Sequence, residues 1–198
     1  MYEGERSKYR DRIIIRPGEF RISREPLMLS TLLGSCVAVC MYDPVAGVMG
    51  MNHFLIATRQ AVQQGSVLTS DAGRYGIHAM ELLINGLLKL GASRSRLRAK
   101  AFGGGNVLVS CTTQEKGFVS VNIANARFVR EFLEEDGIPL EAADLGGNFG
   151  RQIHFDGTDY SVYVRKIHMR QSGSIVQAER QYWGNTLHEV VTQTEFLS

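Results

Sequence analysis

A chain combining α and β structure is what the sequence predicts, on three observations. Apolar residues alternate with a two-residue period from Cys36 to Tyr42, and short strand-like stretches recur later in the chain. Turn chemistry separates such stretches at hairpin distances, above all in Asp43-Pro44-Val45-Ala46-Gly47. Two further segments repeat apolar residues at helical spacing. A chain of 198 residues is long enough for one domain to bury about 70% of its unfolded surface.

Residues 1–11 read as a polar, mobile leader, followed by short strands at 12–16 and 19–23 around Pro17-Gly18. Strands at 36–42 and 48–56 then form a hairpin. Residues 58–69 are polar and rich in Gln, which fits a loop and a rim for a substrate cleft. Ser70 or Asp71 caps a helix whose Ile77, Met80, Leu83, Ile84, Leu87 and Leu90 form a core face and which stops at Gly91; His78 belongs to its surface or boundary. A strand over 97–102 leads into Gly103-Gly104-Gly105-Asn106. Asn122 caps a second helix with Phe128, Val129, Phe132 and Leu133 on its apolar face, ended by Gly137. Residues 139–145 read as a strand, and 151–156 with 160–166 as a hairpin around Gly157. Arg151, at a strand start, fits a solvated side chain or a contact to an acidic surface. The resulting division is a leader over 1–11, one domain over 12–168, and a linker with a polar extension over 169–198 that holds Trp183.

Composition excludes several classes. Lys plus Arg number 22 against 20 for Asp plus Glu, a net +2 too balanced to argue for nucleic-acid or membrane-surface binding. No apolar run approaches the roughly 20 residues that span a bilayer, and the charged start lacks the apolar centre of an export signal. Three cysteines do not suggest a disulfide framework and fit a reducing, cytoplasmic compartment. Cys36 and Cys40 on one strand face stand about 13 Å apart, too far to bridge. Cys36, Cys40, Cys111 and His53 lack the paired spacing of a zinc site, so no metal is expected. The glycine run at 103–105 has neither the dinucleotide spacing nor a Gly-Lys-Ser/Thr ending, so no nucleotide cofactor is expected either.

The chemistry concentrates in Leu33-Gly34-Ser35-Cys36-Val37-Ala38 and in His53, seventeen positions after the cysteine. The Gly-Ser pair allows a sharp entry into the strand, which sets Cys36 at a strand mouth. If Tyr42 pairs with Gly47 across the turn, Cys36 falls directly opposite His53 on one face. A slip of one residue would turn His53 away. In the aligned register the imidazole can stabilise a thiolate and carry its proton, and a third group is needed to hold the ring. Ser30 is the first candidate orienter, with adjacent Thr31 as the alternative. The backbone N–H groups at Gly34, Ser35 and Cys36 are candidate oxyanion donors. The bland alternative is that Cys36 packs as a small apolar residue and His53 is a satisfied strand histidine.

The run Leu29-Ser30-Thr31-Leu32-Leu33-Gly34-Ser35-Cys36-Val37-Ala38-Val39-Cys40-Met41-Tyr42-Asp43-Pro44, followed by Gly50-Met51-Asn52-His53-Phe54, resembles the signature of the chemoreceptor glutamine deamidase family, CheD. Tyr75-Gly76, Ala99-Lys100-Ala101-Phe102-Gly103-Gly104-Gly105, Asn122-Ile123-Ala124-Asn125-Ala126-Arg127 and Leu145-Gly146-Gly147-Asn148-Phe149-Gly150-Arg151 follow in the family's order. The resemblance covers about residues 12–168. It implies an α+β fold, a layered α/β sandwich with a mixed or antiparallel sheet and two principal helices, like that of deamidating bacterial toxins. It also implies Cys36 as nucleophile, His53 as base and a hydroxyl residue as orienter, acting on glutamine side chains of methyl-accepting chemotaxis receptors without a cofactor. The spacing of six positions before the cysteine selects Ser30, with Thr31 one residue away. Hydrolysis of glutamyl methyl esters would use the same acyl-thiol route. The alternative the resemblance leaves open is a non-catalytic module that docks receptors or a CheC-type phosphatase of the response regulator.

Overall fold

The computed structural model describes residues 12–56, 68, 71–107 and 121–168. The expected leader, the loop over 58–69, Cys111 and the extension over 169–198 lie outside these residues, Leu68 excepted. The described strands are β1 (Arg12–Ile14), β2 (Phe20–Ser23), β3 (Met28–Leu33), β4 (Val37–Asp43), β5 (Val48–Phe54), β6 (Arg98–Gly103), β7 (Leu140–Leu145), β8 (Gly150–Asp156) and β9 (Val162–Ile167). Helix α1 spans Asp71–Lys89 and α2 spans Val121–Glu135. The pattern-based elements skip residues 28–33, yet β3 occupies them. Helix α2 already includes Val121, which places Asn122 inside its first turn and not at the cap.

The strands make two sheets, a four-stranded one ordered β1-β3-β8-β9 and a five-stranded one ordered β2-β5-β4-β6-β7. Both are mixed: β1 runs parallel to β3 and β7 parallel to β6, and the remaining pairs are antiparallel. The five-stranded sheet is the middle layer. Val37, Val39 and Met41 of β4 pack with Met80, Leu83, Ile84 and Leu87 of α1 and Phe128, Val129 and Phe132 of α2. Cys36, Ala38, Cys40 and Tyr42 pack instead with Leu29, Leu33, Ile153 and Phe155 of the other sheet. A strand buried on both faces needs apolar residues at every position, which is why β4 is an almost unbroken apolar run. The fold is α+β, a layered sandwich of helices, sheet and sheet.

Helix ends are set by local chemistry. The Gly91 N–H donates to Leu88 and that of Ala92 to Leu87; Gly137 and Ile138 repeat the pattern on Glu134 and Leu133. Each is a Schellman closure, which needs a left-handed residue after the helix, and Gly91 (φ 90°) and Gly137 (φ 66°) supply it.

The β4–β5 hairpin differs from the expected register. Asp43 pairs with Val48 across the four-residue turn, so Ala38, and not Cys36, stands opposite His53. The pairing has moved by two in the summed index, so facing is preserved. Cys36 and His53 remain on the same inter-sheet face as diagonal neighbours.

Arg151 also departs from expectation. It is 1% exposed, because β8 turns Arg151, Ile153 and Phe155 inward together. Its guanidinium pairs with Asp144 (2.7 Å) and donates to the Gly146 carbonyl (2.7 Å). That hydrogen bond from Arg151 holds the Asp144 carboxyl below its usual range, against the upward push of burial.

A β-carbon on Gly103 (φ 114°) would lie 2.2 Å from the Cys36 carbonyl oxygen, whereas one on Gly137 would meet nothing within 4 Å. Gly137→Ala is therefore expected to cost about 1 kcal/mol, the left-handed backbone penalty alone. Gly103→Ala is expected to cost more than about 3 kcal/mol, since backbone must shift as well. Urea unfolding of the two variants checks the difference; equal losses would show that the close approach carries no strain.

Candidate active site

Cys36 precedes the first residue of β4, at the end of the Gly34-Ser35-Cys36 entry loop. Three successive carbonyls of that loop are held from the other side of the sheet's end. The Gly105 N–H donates to Gly34 (2.7 Å), the Gly104 N–H to Cys36 (2.7 Å), and the Asn125 amide to Ser35 (2.8 Å). The glycine run at 103–105 is what lets these backbones touch. Asn125 accepts from the Ile56 N–H in turn (2.7 Å).

His53 is fixed at its backbone by the chain arriving from β1. Its N–H donates to the Glu19 carbonyl (2.9 Å) and its carbonyl accepts from the Gly18 N–H (2.8 Å). On the opposite face of β5, Asn52 accepts from the Val39 N–H (3.0 Å) and donates to the Ala79 carbonyl (3.1 Å), tying β5 to α1. The strand carrying His53 is therefore anchored on both sides.

The structure places Thr31, and not Ser30, on the imidazole. Thr31 Oγ1 lies 2.8 Å from His53 Nδ1 and 2.6 Å from the Ile15 carbonyl oxygen. Ser30 Oγ instead meets His154 Nδ1 at 2.6 Å, its cross-strand partner on β8. Strand alternation is the reason: Leu29, Thr31 and Leu33 face the other sheet, so Ser30 must face outward. The signal was present as Leu-Thr-Leu at 29, 31 and 33.

The hydroxyl decides the tautomer. Thr31 has one proton, and the Ile15 carbonyl can only accept, so the proton points there. The Thr31 oxygen then accepts from His53 Nδ1–H, which also sits 3.5 Å from the Ile15 oxygen. That leaves the lone pair on Nε2. Among the described residues Nε2 is buried with no hydrogen-bond partner. Burial pushes the His53 pKa down to about 4, with the Ile15 hydrogen bond pulling weakly upward. A neutral imidazole with a bare Nε2, on the sheet face that also carries a thiol, has the lone pair that a general base needs.

Cys36 and His53 are 0% and 1% exposed. A cavity of about 230 Å³ between β2, β5 and α1 abuts the histidine and is lined by Phe20, His53, Tyr75, His78 and Leu82 among others. Phe20, Tyr75 and Leu82 are exposed apolar residues at its edge, and His78 is exposed on α1. Cys40 lies on the same inter-sheet face, and burial raises its thiol so far that it stays protonated. Cys36 and Cys40 are both outside any disulfide. Among the described residues no group of three or more His, Cys, Asp or Glu side chains could hold a metal ion.

Sequence reasoning missed Asn125 and Arg151 as parts of this end of the molecule. Asn125 is a fully buried polar residue in the apolar stripe of α2, and a buried amide must find partners. That mismatch was visible in the sequence.

Fold and site together define the class: a layered α+β protein whose inter-sheet layer holds both a thiol and an imidazole bonded to a hydroxyl. The chain belongs to the CheD family. The model for that family, described as CheD chemotactic sensory transduction, matches residues 60–166. "Probable chemoreceptor glutamine deamidase CheD 1" of Geobacter sulfurreducens is 49% identical over 180 residues, 90% of this chain and 89% of that protein. "Probable chemoreceptor glutamine deamidase CheD 2" of Shewanella oneidensis is 44% identical over the same shares. An alignment of that extent in a chain of 198 residues must include residues 30–53 wherever it begins. Among solved structures, YlmD from Geobacillus stearothermophilus is similar with a TM-score of 0.39 and 14% identity over 65% of this chain and 50% of that one, too distant to bear on the site.

The depressed His53 pKa fixes the sign of a stability effect. The unfolded ring takes up a proton below pH 6.5 and the folded ring only near 4, so unfolding is favoured as pH falls through that window. Stability is full above pH 6.5 and declines by roughly 3 kcal/mol toward pH 4. Denaturant titrations of the native protein and His53→Gln should diverge across that window. Asp43, held at about 2 because hydrogen bonds from Ser93, Arg96, Ala46 and Val45 outweigh its burial, loses its contribution only below it. Parallel pH curves for the two proteins would contradict a buried neutral His53.

Proposed function

We propose that this chain is a chemoreceptor glutamine deamidase that converts glutamine side chains of methyl-accepting chemotaxis receptors to glutamate. The observation that carries the reading is the Thr31–His53 pair, which puts the ring proton on Nδ1 and leaves Nε2 buried without a hydrogen-bond partner among the described residues. The family relatives carry the same activity in their names. No described helix is long and apolar enough to cross a membrane, and in this reading the enzyme works in the cytoplasm on the receptors' inner portions.

The chemistry follows from the arrangement. Cys36 sulfur attacks the carboxamide carbon while its proton passes to His53 Nε2, and the carbonyl oxygen becomes an oxyanion. The Cys36 backbone N–H, with those of Gly34 and Ser35, is the proposed oxyanion donor set. The imidazolium returns its proton to the amide nitrogen, the C–N bond breaks, and ammonia leaves a thioester. Water then loses a proton to Nε2 and attacks the thioester carbon, and the thiol is restored with a glutamyl carboxylic acid that ionises. Thr31 holds Nδ1–H throughout and keeps the ring's tautomer. A glutamyl methyl ester would enter by the same attack with methanol leaving.

The exposed apolar residues Phe20, Tyr75 and Leu82 beside His53 are the proposed rim on which a receptor segment rests. A CheC-type phosphatase, in this reading, regulates by covering the same mouth. A purely docking role gains no observation here.

Incubation with a glutamine-bearing receptor cytoplasmic fragment should give the roughly one-dalton mass gain of amide becoming acid. Cys36→Ala should abolish the gain while still binding the fragment; binding without any gain in the native protein would make the chain a docking module. Thr31→Val should lower turnover about 10- to 100-fold because the ring loses its tautomer and hold. Ser30→Ala, on the outer face, should change turnover less than about threefold. The reverse order would return the orienting role to Ser30.

A further inference from the structure

On one side of the sandwich both sheets end in an open edge, since β1 pairs only with β3 and β2 only with β5. A cleft of about 590 Å³ lies along these edges and reaches Leu90, just past α1. Arg12, Arg21 and Arg24 line it, against a single carboxylate, Glu25. All three arginines are exposed. None of them joins the ion pairs found among the described residues.

The cleft is apolar as well as cationic. Ile13 is half-buried against the inter-sheet core and Ile22 and Leu90 against the helix-side core, and all three line the cleft. Arg24 marks one end. Its Nη2 lies 3.2 Å from where a β-carbon on Gly91 would stand, over the C-terminus of α1, where the helix dipole favours a cation. Unmatched cations beside apolar walls fit a partner segment that carries carboxylates among apolar side chains. A lipid headgroup layer is also anionic, but it is a flat surface, and this site lies between two strand edges.

The β2–β5 register sets the cleft's distance from the base. The His53 N–H donates to the Glu19 carbonyl, while Arg21 pairs with Met51 and Ser23 with Met49. At about 3.4 Å per residue, Arg21 stands about 7 Å and Ser23 about 14 Å along the strand from the level of His53. Arg24 follows directly.

We propose that this cleft is a second contact for the receptor: its arginines hold carboxylates of the segment whose glutamine is being deamidated, and so select glutamines with acidic neighbours. The inference rests on the deamidase reading. In a helical segment 14 Å spans about nine residues, so the carboxylates in reach lie within about ten positions of the glutamine. They touch no reacting atom. Their contribution is the same in the bound substrate and the transition state, and it appears in KM and not in kcat.

The test compares the native protein with the double variant Arg21→Glu, Arg24→Glu on the receptor cytoplasmic fragment. KM should rise about 10-fold, with kcat changed less than about threefold. The increase of KM between about 50 and about 300 mM salt should be smaller for the variant than for the native protein. A second fragment, with lysine at the acidic positions within about ten residues of the modified glutamine, should reverse the order and bind the variant more tightly than the native protein. An unchanged KM overturns the inference, as does a kcat loss as large as the KM rise, or a lysine fragment that does not reverse the order. Loss of binding to phosphatidylglycerol vesicles, with KM on the fragment unchanged, assigns the arginines to a lipid surface and overturns it too. If the double reversal does not fold, Arg21→Gln with Arg24→Gln is measured by the same criteria, with KM expected to rise about threefold. The deamidase reading fails separately, when the native protein gives no Cys36-dependent mass gain. Calorimetric binding of the two fragments to native protein and variant then applies the same reversal criterion to the cleft.

Discussion

The hydroxyl of Thr31 carries the constraint on which the site depends. It stands between the Ile15 carbonyl and the His53 ring, in a layer otherwise built from Leu29, Leu33, Met51, Leu55, Ile153 and Phe155. Polar atoms in such a layer are costly unless paired. One proton and one oxygen satisfy a stray carbonyl and a ring N–H together, and their geometry leaves a single unsatisfied position, Nε2. A buried acceptor with no partner is retained where something arrives to use it. The hydroxyl also links β1, β3 and β5, and so joins the two sheets at the point where the chemistry is placed.

Much of this was legible because β-structure writes its facing into the sequence with a period of two. The strand stretches of β4 and β5, the turn between them and both helix stripes located the layers and put Cys36 and His53 on one face, although β4 is apolar at every position from Val37 to Tyr42 and buried on both sides, not the alternating half-buried strand expected. The hairpin was nevertheless misregistered: four residues form the turn as expected, but the closing pair is Asp43 with Val48. Asp43 explains this. Its carboxylate caps the Val45 and Ala46 N–H groups and meets Arg96, a tertiary contact that no local pattern announces. The error was survivable because it moved the pairing by two and left the facing intact. The choice between Ser30 and Thr31 failed for a different reason. Counting back from the cysteine ignores which residues face inward, whereas Leu29 and Leu33 mark odd positions as the core side. Arg151 was misjudged because a charged residue at a strand start usually meets water; here its strand turns it inward, where Asp144 and the Phe149 and Gly146 carbonyls meet its two terminal nitrogens.

The nucleophile loop has no regular structure of its own, and its rigidity is borrowed. Arg151 draws in Asp144 and the Gly146 carbonyl; Gly147 accepts from Asn106; Gly105 and Gly104 then grip Gly34 and Cys36. Asn125 completes the grip from α2. Loops that carry chemistry gain precision when packed elements fix each carbonyl, because a misplacement of an ångström is felt strongly in rate. It explains why glycines crowd at 103–105: three backbones must pass where a β-carbon would collide with carbonyl oxygens.

Burial also sets the resting state of the proposed catalytic pair. A preformed thiolate beside an imidazolium would need a charged ring in the inter-sheet layer, and burial drives the His53 pKa to about 4. At neutral pH the ring therefore holds no second proton, and Nε2 keeps its lone pair. In the proposed reaction, proton transfer to that lone pair accompanies bond formation, so that the negative charge appears on the carboxamide oxygen and not on sulfur in an apolar layer.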